Sequence, residues 1–178
     1  AIAHFKSPLQ DVVRAARAAE KRAKTKLGRA AVAVSLFKRS GEITEWGCQW
    51  ESGGLALYEA IAKGLDSGTL SSKFPYRVCQ LLEPYLTNRT GISQQSDAAD
   101  FDESEIIRRE FAFAIARQSA SGQVKSNEET LMPLVDAYLK QQAKTEQTPL
   151  FSLIGLCTTV AFAHRTKSED STLPPKGS

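Results

Sequence analysis

Residues 28–54 read GRAAVAVSLFKRSGEITEWGCQWESGG, and the organisation of the whole chain turns on them. Ala30–Phe37 alternates with period two, which predicts a strand. Val32, Val34 and Leu36 share one face, and Ala31, Ala33 and Ser35 share the other. The second trio is small, so something must pack closely there. Lys38-Arg39-Ser40-Gly41 has turn composition. Ile43–Trp50 predicts a second strand, with Thr44, Trp46, Cys48 and Trp50 on one face. Two such runs across a short turn pair as an antiparallel hairpin. Ser52-Gly53-Gly54 then breaks the pattern, and everything after it reads as helix and turn.

Upstream of the hairpin, Pro8–Leu27 predicts a helix. Ser7 suits the N-cap, Pro8 the first helical position and Gly28 the C-terminal cap. Leu9, Val12, Val13, Ala16, Ala19, Ala23 and Leu27 recur at three- and four-residue steps and make an apolar stripe. Arg14, Arg17, Lys21 and Lys24 are spaced to line up beside it. Downstream, helices are predicted over Leu55–Leu65, Pro75–Leu86, Phe101–Ala120, Asn127–Lys144 and Pro149–Arg165. Asp102 and Glu105 are placed as a capping pair, and Thr148 caps the last helix. Pro133 predicts a kink or a later start near Thr130. Asn88–Asp100 reads as a polar loop and Ser168–Ser178 as a polar, disordered tail.

The fold class is therefore α+β, mostly α: a helix plus a β-hairpin (1–52), a helical domain (53–167) and the tail (168–178). A helix and two strands cannot bury their own apolar faces. Either further strands or the bundle must cover them, and the small-residue face points to a neighbour the chain has lost. The free strand edge would then favour self-association.

The chain has 178 residues, 42% hydrophobic and 24% charged, which excludes wholesale disorder and collagen-like repeats. A net charge of +3 is too small to argue nucleic-acid binding for the whole chain. It is unevenly spread. Residues 1–29 carry eight Lys and Arg against two acids, a net of +6, which leaves −3 for the remainder. Cys48, Cys79 and Cys157 are odd in number and far apart, which argues against a disulfide framework or a cysteine zinc site and for reduced thiols in a cytoplasmic protein. Leu150–Ala163 is too short and interrupted to span a bilayer, and no signal peptide is apparent. A start at Ala1-Ile2-Ala3-His4 reads as a piece of something longer.

His4 and His164 are the only imidazoles, and they form no Ser-His-Asp or Cys-His set. Gly53-Gly54 is not a phosphate loop, because no Gly-rich nucleotide signature surrounds it. Asp97, Asp100, Asp102, Glu103 and Glu105 cluster without calcium-loop spacing, and acids at a helix start also complement the dipole. The basic helix carries the strongest signal. Its arginines and lysines suit phosphate recognition, and equally suit a solvated face.

Several segments together resemble the large subunit of type III CRISPR effector complexes, Cmr branch. They are the opening Ala-Ile-Ala-His-Phe-Lys-Ser-Pro-Leu-Gln, the run Ala15–Lys24, Gly28-Arg29, and Lys38-Arg39-Ser40-Gly41-Glu42. The resemblance covers roughly residues 1–50; the helical remainder is similar only in position and periodicity. More distantly, Ala23-Lys24…Gly28-Arg29 is similar to the Ala-Lys-x-x-Gly-Arg of GGDEF diguanylate cyclases, with one extra residue before Gly28. The resemblance implies that 1–52 is the C-terminal part of a palm domain whose parent makes cyclic oligoadenylate from ATP. It implies that Lys24, Lys21, Arg17 and Arg29 face the triphosphate, with Lys24 foremost. Mg or Mn ions would be held by carboxylates outside this chain, since no Gly-Gly-Asp-Asp occurs in it. The fragment would not catalyse alone. Implied partners are the remaining palm and nuclease domains, the small helical subunits and other subunits of the complex, guide RNA and target RNA, with no membrane. Two other readings stand beside this one: a non-catalytic RNA or protein interaction module, and a diguanylate cyclase fragment.

Overall fold

A computed structural model describes residues 1–38, 41–91, 102–142 and 148–171. The N-terminal part is helix α1 (Leu9–Thr25), strand β1 (Ala31–Phe37) and strand β2 (Ile43–Gln49). Helices α2 (Gly53–Asp66), α3 (Phe74–Gly91), α4 (Glu103–Gln118), α5 (Val124–Gln142) and α6 (Pro149–Ser171) follow and pack together. The hairpin is antiparallel, with Val34 opposite Trp46 and Ser35 opposite Glu45. Arg39 and Ser40 of its turn lie outside the described residues.

The hairpin is sandwiched. On one face Trp46 and Cys48 are buried in the bundle core, with Val32 and Val34 packed against it. Trp46 stacks on Tyr58 of α2 at 5.7 Å and its Nε1 donates to the Tyr138 hydroxyl of α5 at 3.2 Å. Burial pushes the Tyr138 phenol well above its ordinary pKa. On α6, Gly155 lets the helix backbone reach β2: a Cβ there would sit 2.7 Å from the Glu45 carbonyl oxygen. The other face, with Ala31, Ala33 and Ser35, is covered by α1. The close neighbour those residues require thus lies within the chain. Gly47 belongs to the same arrangement, since a Cβ there would meet Leu27 Cδ1 at 2.6 Å. The outer edge of β1 is occupied in part by Ile2. Its N–H donates to the Ser35 carbonyl at 2.8 Å and its carbonyl accepts from Phe37 N–H at 2.9 Å, a parallel bridge.

The bundle core is apolar, with Phe74 and Phe111 edge-to-face at 5.4 Å. Asp102 caps α4 by accepting from the N–H groups of Ser104 (2.9 Å) and Glu105 (3.4 Å). Thr148 accepts from Phe151 N–H at the start of α6.

Several boundaries differ from the sequence expectation. Gly53 and Gly54 open α2 instead of separating elements: Ser52 is the N-cap, and a Cβ on Gly54 would collide with Cys48 Sγ at 2.9 Å. Helix α5 begins at Val124, ahead of the predicted Asn127 or Thr130, and contains Pro133, while α3 contains Pro84 as the predicted Pro75–Leu86 helix does. Both prolines are exposed, as are Glu129 and Gln80 four residues before them. Helix α3 continues to Gly91, past the predicted loop start at Asn88; the rest of that loop, with Asp97 and Asp100, lies outside the described residues. Helix α6 continues to Ser171, so the expected tail begins as helix, and residues 172–178 lie outside the description. No helix of the described chain is long and apolar enough to cross a membrane.

Candidate phosphate-facing helix

Helix α1 starts later and ends earlier than its pattern predicts. Pro8, not Ser7, occupies the cap position and makes no side-chain capping bond. Lys26 and Leu27 donate back to the Arg22 carbonyl and Arg29 to that of Ala23, at 2.9, 3.2 and 2.9 Å. Gly28 and Arg29 then turn the chain with φ of +84° and +70°. Glycine reaches this region freely, whereas arginine reaches it at a cost. The turn is fastened by Gln49 Nε2, which donates to the Leu27 carbonyl at 3.0 Å.

The apolar stripe divides. Ala19 and Leu27 are buried, and Val12, Ala15 and Ala23 are half-buried, whereas Leu9, Val13 and Ala16 are exposed. With 3.6 residues per turn, Arg14, Arg17, Lys21 and Lys24 fall on the side of α1 roughly opposite Ala19, away from the hairpin. All four are exposed, and so is Arg29 beyond the helix end. The structure thus gathers Arg17, Lys21 and Lys24 on one solvent-facing surface. Arg29 follows in the turn that ends the helix.

Lys24 forms an i,i+4 pair with Glu20 at 2.6 Å. The Lys24 ammonium holds the Glu20 carboxyl below the usual range, by hydrogen bond and by charge. Both side chains are exposed, so salt weakens the pair and a ligand phosphate can compete for the lysine. Arg14 pairs with Asp11 at 3.4 Å.

Arg22 is the residue that charge counting misplaces. Its guanidinium turns under the helix, pairs with Glu45, and donates to the Val34 carbonyl at 3.0 Å and the Ser35 hydroxyl at 3.1 Å. It fastens α1 to the hairpin and belongs to the scaffold. The sequence signal was present: Arg22 sits three residues from Ala19, on the face that has to be covered.

A cavity of about 970 Å³ opens between the first turns of α1 and the far end of the hairpin. Its charged lining is of mixed sign, Lys6, Arg14 and Lys38 against Asp11 and Glu45, with His4 beside them. It lies at the opposite end of α1 from Lys24 and Arg29, so the cavity and the predicted phosphate residues do not coincide. His4 stacks against Phe5, and its Nδ1 accepts from Lys6 N–H at 3.2 Å. His164 lies 3.8 Å from an Asp66 carboxylate oxygen. Among the described residues no group of three or more His, Cys, Asp or Glu side chains could hold a metal ion. The described residues do not fit a two-metal centre.

The architecture is that of a mostly helical α+β protein in which a basic helix covers a hairpin backed by a helical bundle. No family model, curated protein or solved structure matches the chain significantly.

Proposed function

We propose that the chain forms the C-terminal part of a palm-type nucleotidyltransferase of the type III CRISPR large-subunit family, which makes cyclic oligoadenylate from ATP in the cytoplasm. The observation that carries the reading is the exposed Arg17–Lys21–Lys24 surface of α1 leading into Gly28-Arg29, within the segment that resembles that family. Ile2 makes a single parallel bridge to Leu36 at the edge of β1, with α1 as the connection between them, which is the handing-on of chain found in a βαβ unit. In this reading Lys24 and Lys21 act as point charges on the triphosphate, and Arg17 and Arg29 as forked donors. Metal ions held by carboxylates outside this chain would supply the activation of the ribose hydroxyl. The bundle would dock against the small helical subunits and lie near the guide–target duplex.

The test is nucleotide binding and product yield in the intact large subunit carrying Lys24→Ala, assembled with target RNA. Removing one charge-assisted phosphate contact should weaken ATP binding by about tenfold. Unchanged affinity and unchanged yield would overturn the assignment.

A second reading has its own observation. Phe5, just before α1, and Leu9, in its first turn, are 84% and 75% exposed, and Val13 follows one turn later, so the start of α1 offers an apolar flank beside its charge. That combination suits an interaction module that meets RNA backbone and protein. Its signature is RNA binding by the chain whose log affinity falls by about 0.7 per phosphate contact for each tenfold rise in salt.

A further inference from the structure

Spacing in the sequence keeps the three cysteines apart, but the fold brings two of them together. Cys79 on α3 and Cys157 on α6 lie where these helices pack and line the same cavity. Cys79 Sγ also lies 3.7 Å from the Ile154 carbonyl oxygen and 3.8 Å from the Thr158 hydroxyl, positions that flank Cys157 on α6. Both cysteines line a cavity of about 1000 Å³, bounded by Ile2–Phe5, the end of β1, α3 and α6. Their exposures differ: Cys157 is fully buried and Cys79 half-buried. A small oxidant entering the cavity therefore meets Cys79 first. The neighbouring Cys157 thiol, helped by Thr158, lowers the Cys79 thiol below its ordinary pKa against the opposing effect of burial, while Cys79 and burial raise the Cys157 thiol. The thiolate is the nucleophile in such chemistry, so the two cysteines are already differentiated. Cys48 packs against Gly54 and Tyr138 and lies outside this cavity.

We propose that Cys79 and Cys157 form a reversible disulfide that pins α3 to α6, with Cys79 oxidised first and Cys157 resolving it. The oxidant is a hydroperoxide. The Cys79 thiolate attacks a peroxide oxygen, an S–O bond forms, the O–O bond breaks and hydroxide leaves, so that sulfur is oxidised and peroxide reduced. The Cys157 sulfur then attacks the Cys79 sulfenic sulfur. The S–S bond forms, the S–O bond breaks, and water leaves with the Cys157 proton. A dithiol reverses the link by thiol–disulfide exchange.

The experiment treats the purified chain with hydrogen peroxide, then denatures it in iodoacetamide and digests it with trypsin. Cys79, Cys157 and Cys48 fall in separate peptides, 78–89, 145–165 and 40–63. The expected result is one alkylated cysteine, Cys48, with peptides 78–89 and 145–165 joined, and three alkylated cysteines once dithiothreitol precedes alkylation. Alkylation of all three after peroxide, a link to Cys48, or Cys79 driven to sulfinic acid without a link would each overturn the proposal. Cys48→Ser should leave the link intact, and Cys157→Ser should leave Cys79 as a sulfenic acid trapped by dimedone. The oxidised wild-type chain should melt roughly 5–10 °C higher than the reduced one, because the bridge closes a long loop. Equal melting of the two forms would refute the pinning of α3 to α6.

Discussion

On its bundle side the hairpin buries Trp46 and Cys48 among side chains of α2, α5 and α6, whereas on its other side it offers alanines, a serine and a glycine to α1. The bundle side is held by apolar burial, which is non-directional and grows with area. The α1 side has little area to bury. The helix contributes Ala19 and, just beyond its end, Leu27 as its buried apolar residues, and Arg22 supplies directional bonds in their place. The same strands therefore meet a deep core on one face and a thin, partly polar contact on the other. Local opening should begin where buried apolar contact is least, so α1 is the element expected to loosen before the bundle does.

The sharpest way to break this contrast is at Trp46. Its side chain is 4% exposed, stacks on Tyr58 and bonds Tyr138. Trp46→Ala should cost about 3–5 kcal/mol, read from urea unfolding. A loss below about 1 kcal/mol would mean that the bundle does not anchor the hairpin, since even an ordinary core deletion costs more. The effect should be global, with helical and tertiary signals lost together.

Arg22→Met probes the other face. It keeps the length of the aliphatic stem and removes the ties to Glu45, Val34 and Ser35. The expected loss is about 1–2 kcal/mol, because the pair is only partly shielded from water. More diagnostic is where the loss appears. Amide exchange should quicken in α1 and in β1 beneath it, while α3, α4 and α5 keep their protection. Uniform loosening of the whole chain would show that the two faces are not independent.

The same contrast explains what could be read from the sequence. The hairpin was legible because Ala31–Phe37 and Ile43–Gln49 alternate cleanly around a turn. The bundle was legible because its helices carry apolar periodicity and cap residues such as Asp102 and Thr148. What covers the small-residue face was not legible. Ala31, Ala33, Ser35 and Gly47 say that something approaches closely, but small residues do not name their neighbour. The division of α1 was hidden for a related reason. Leu9, Val13 and Ala16 fit the apolar pattern as well as Ala19 does, and only the position of the hairpin decides which are covered. Helix ends failed where a local rule met tertiary packing: Gly53-Gly54 reads as a break until Cys48 and Tyr138 crowd it, and Pro133, which suggests a start near Thr130, lies well inside a helix that begins at Val124. Among candidate site residues, charge identified the stretch from Arg17 to Arg29. It could not separate Lys24, which faces solvent, from Arg22, which is committed to the scaffold. Nor could spacing along the chain foresee that Cys79 and Cys157 meet.

The smallest predicted effect is also the one that links scaffold to site. Arg29 holds φ at +70° directly after Gly28 at +84°. A non-glycine residue in this region is strained by roughly 1 kcal/mol or somewhat more. Arg29→Gly removes that strain but gives the unfolded chain more freedom, which offsets part of the gain. The net result should be a stabilisation of about 0.5 kcal/mol in urea unfolding, whereas Arg29→Ala, which keeps the Cβ in the left-handed region, should show no gain. If the strained arginine is held there to present its guanidinium to a phosphate, the two readouts must diverge. Arg29→Gly would then be more stable than the parent while its intact large subunit binds ATP less well. Stability and nucleotide affinity rising together would show that the strain serves the turn alone, and would leave Arg17, Lys21 and Lys24 as the phosphate-facing set.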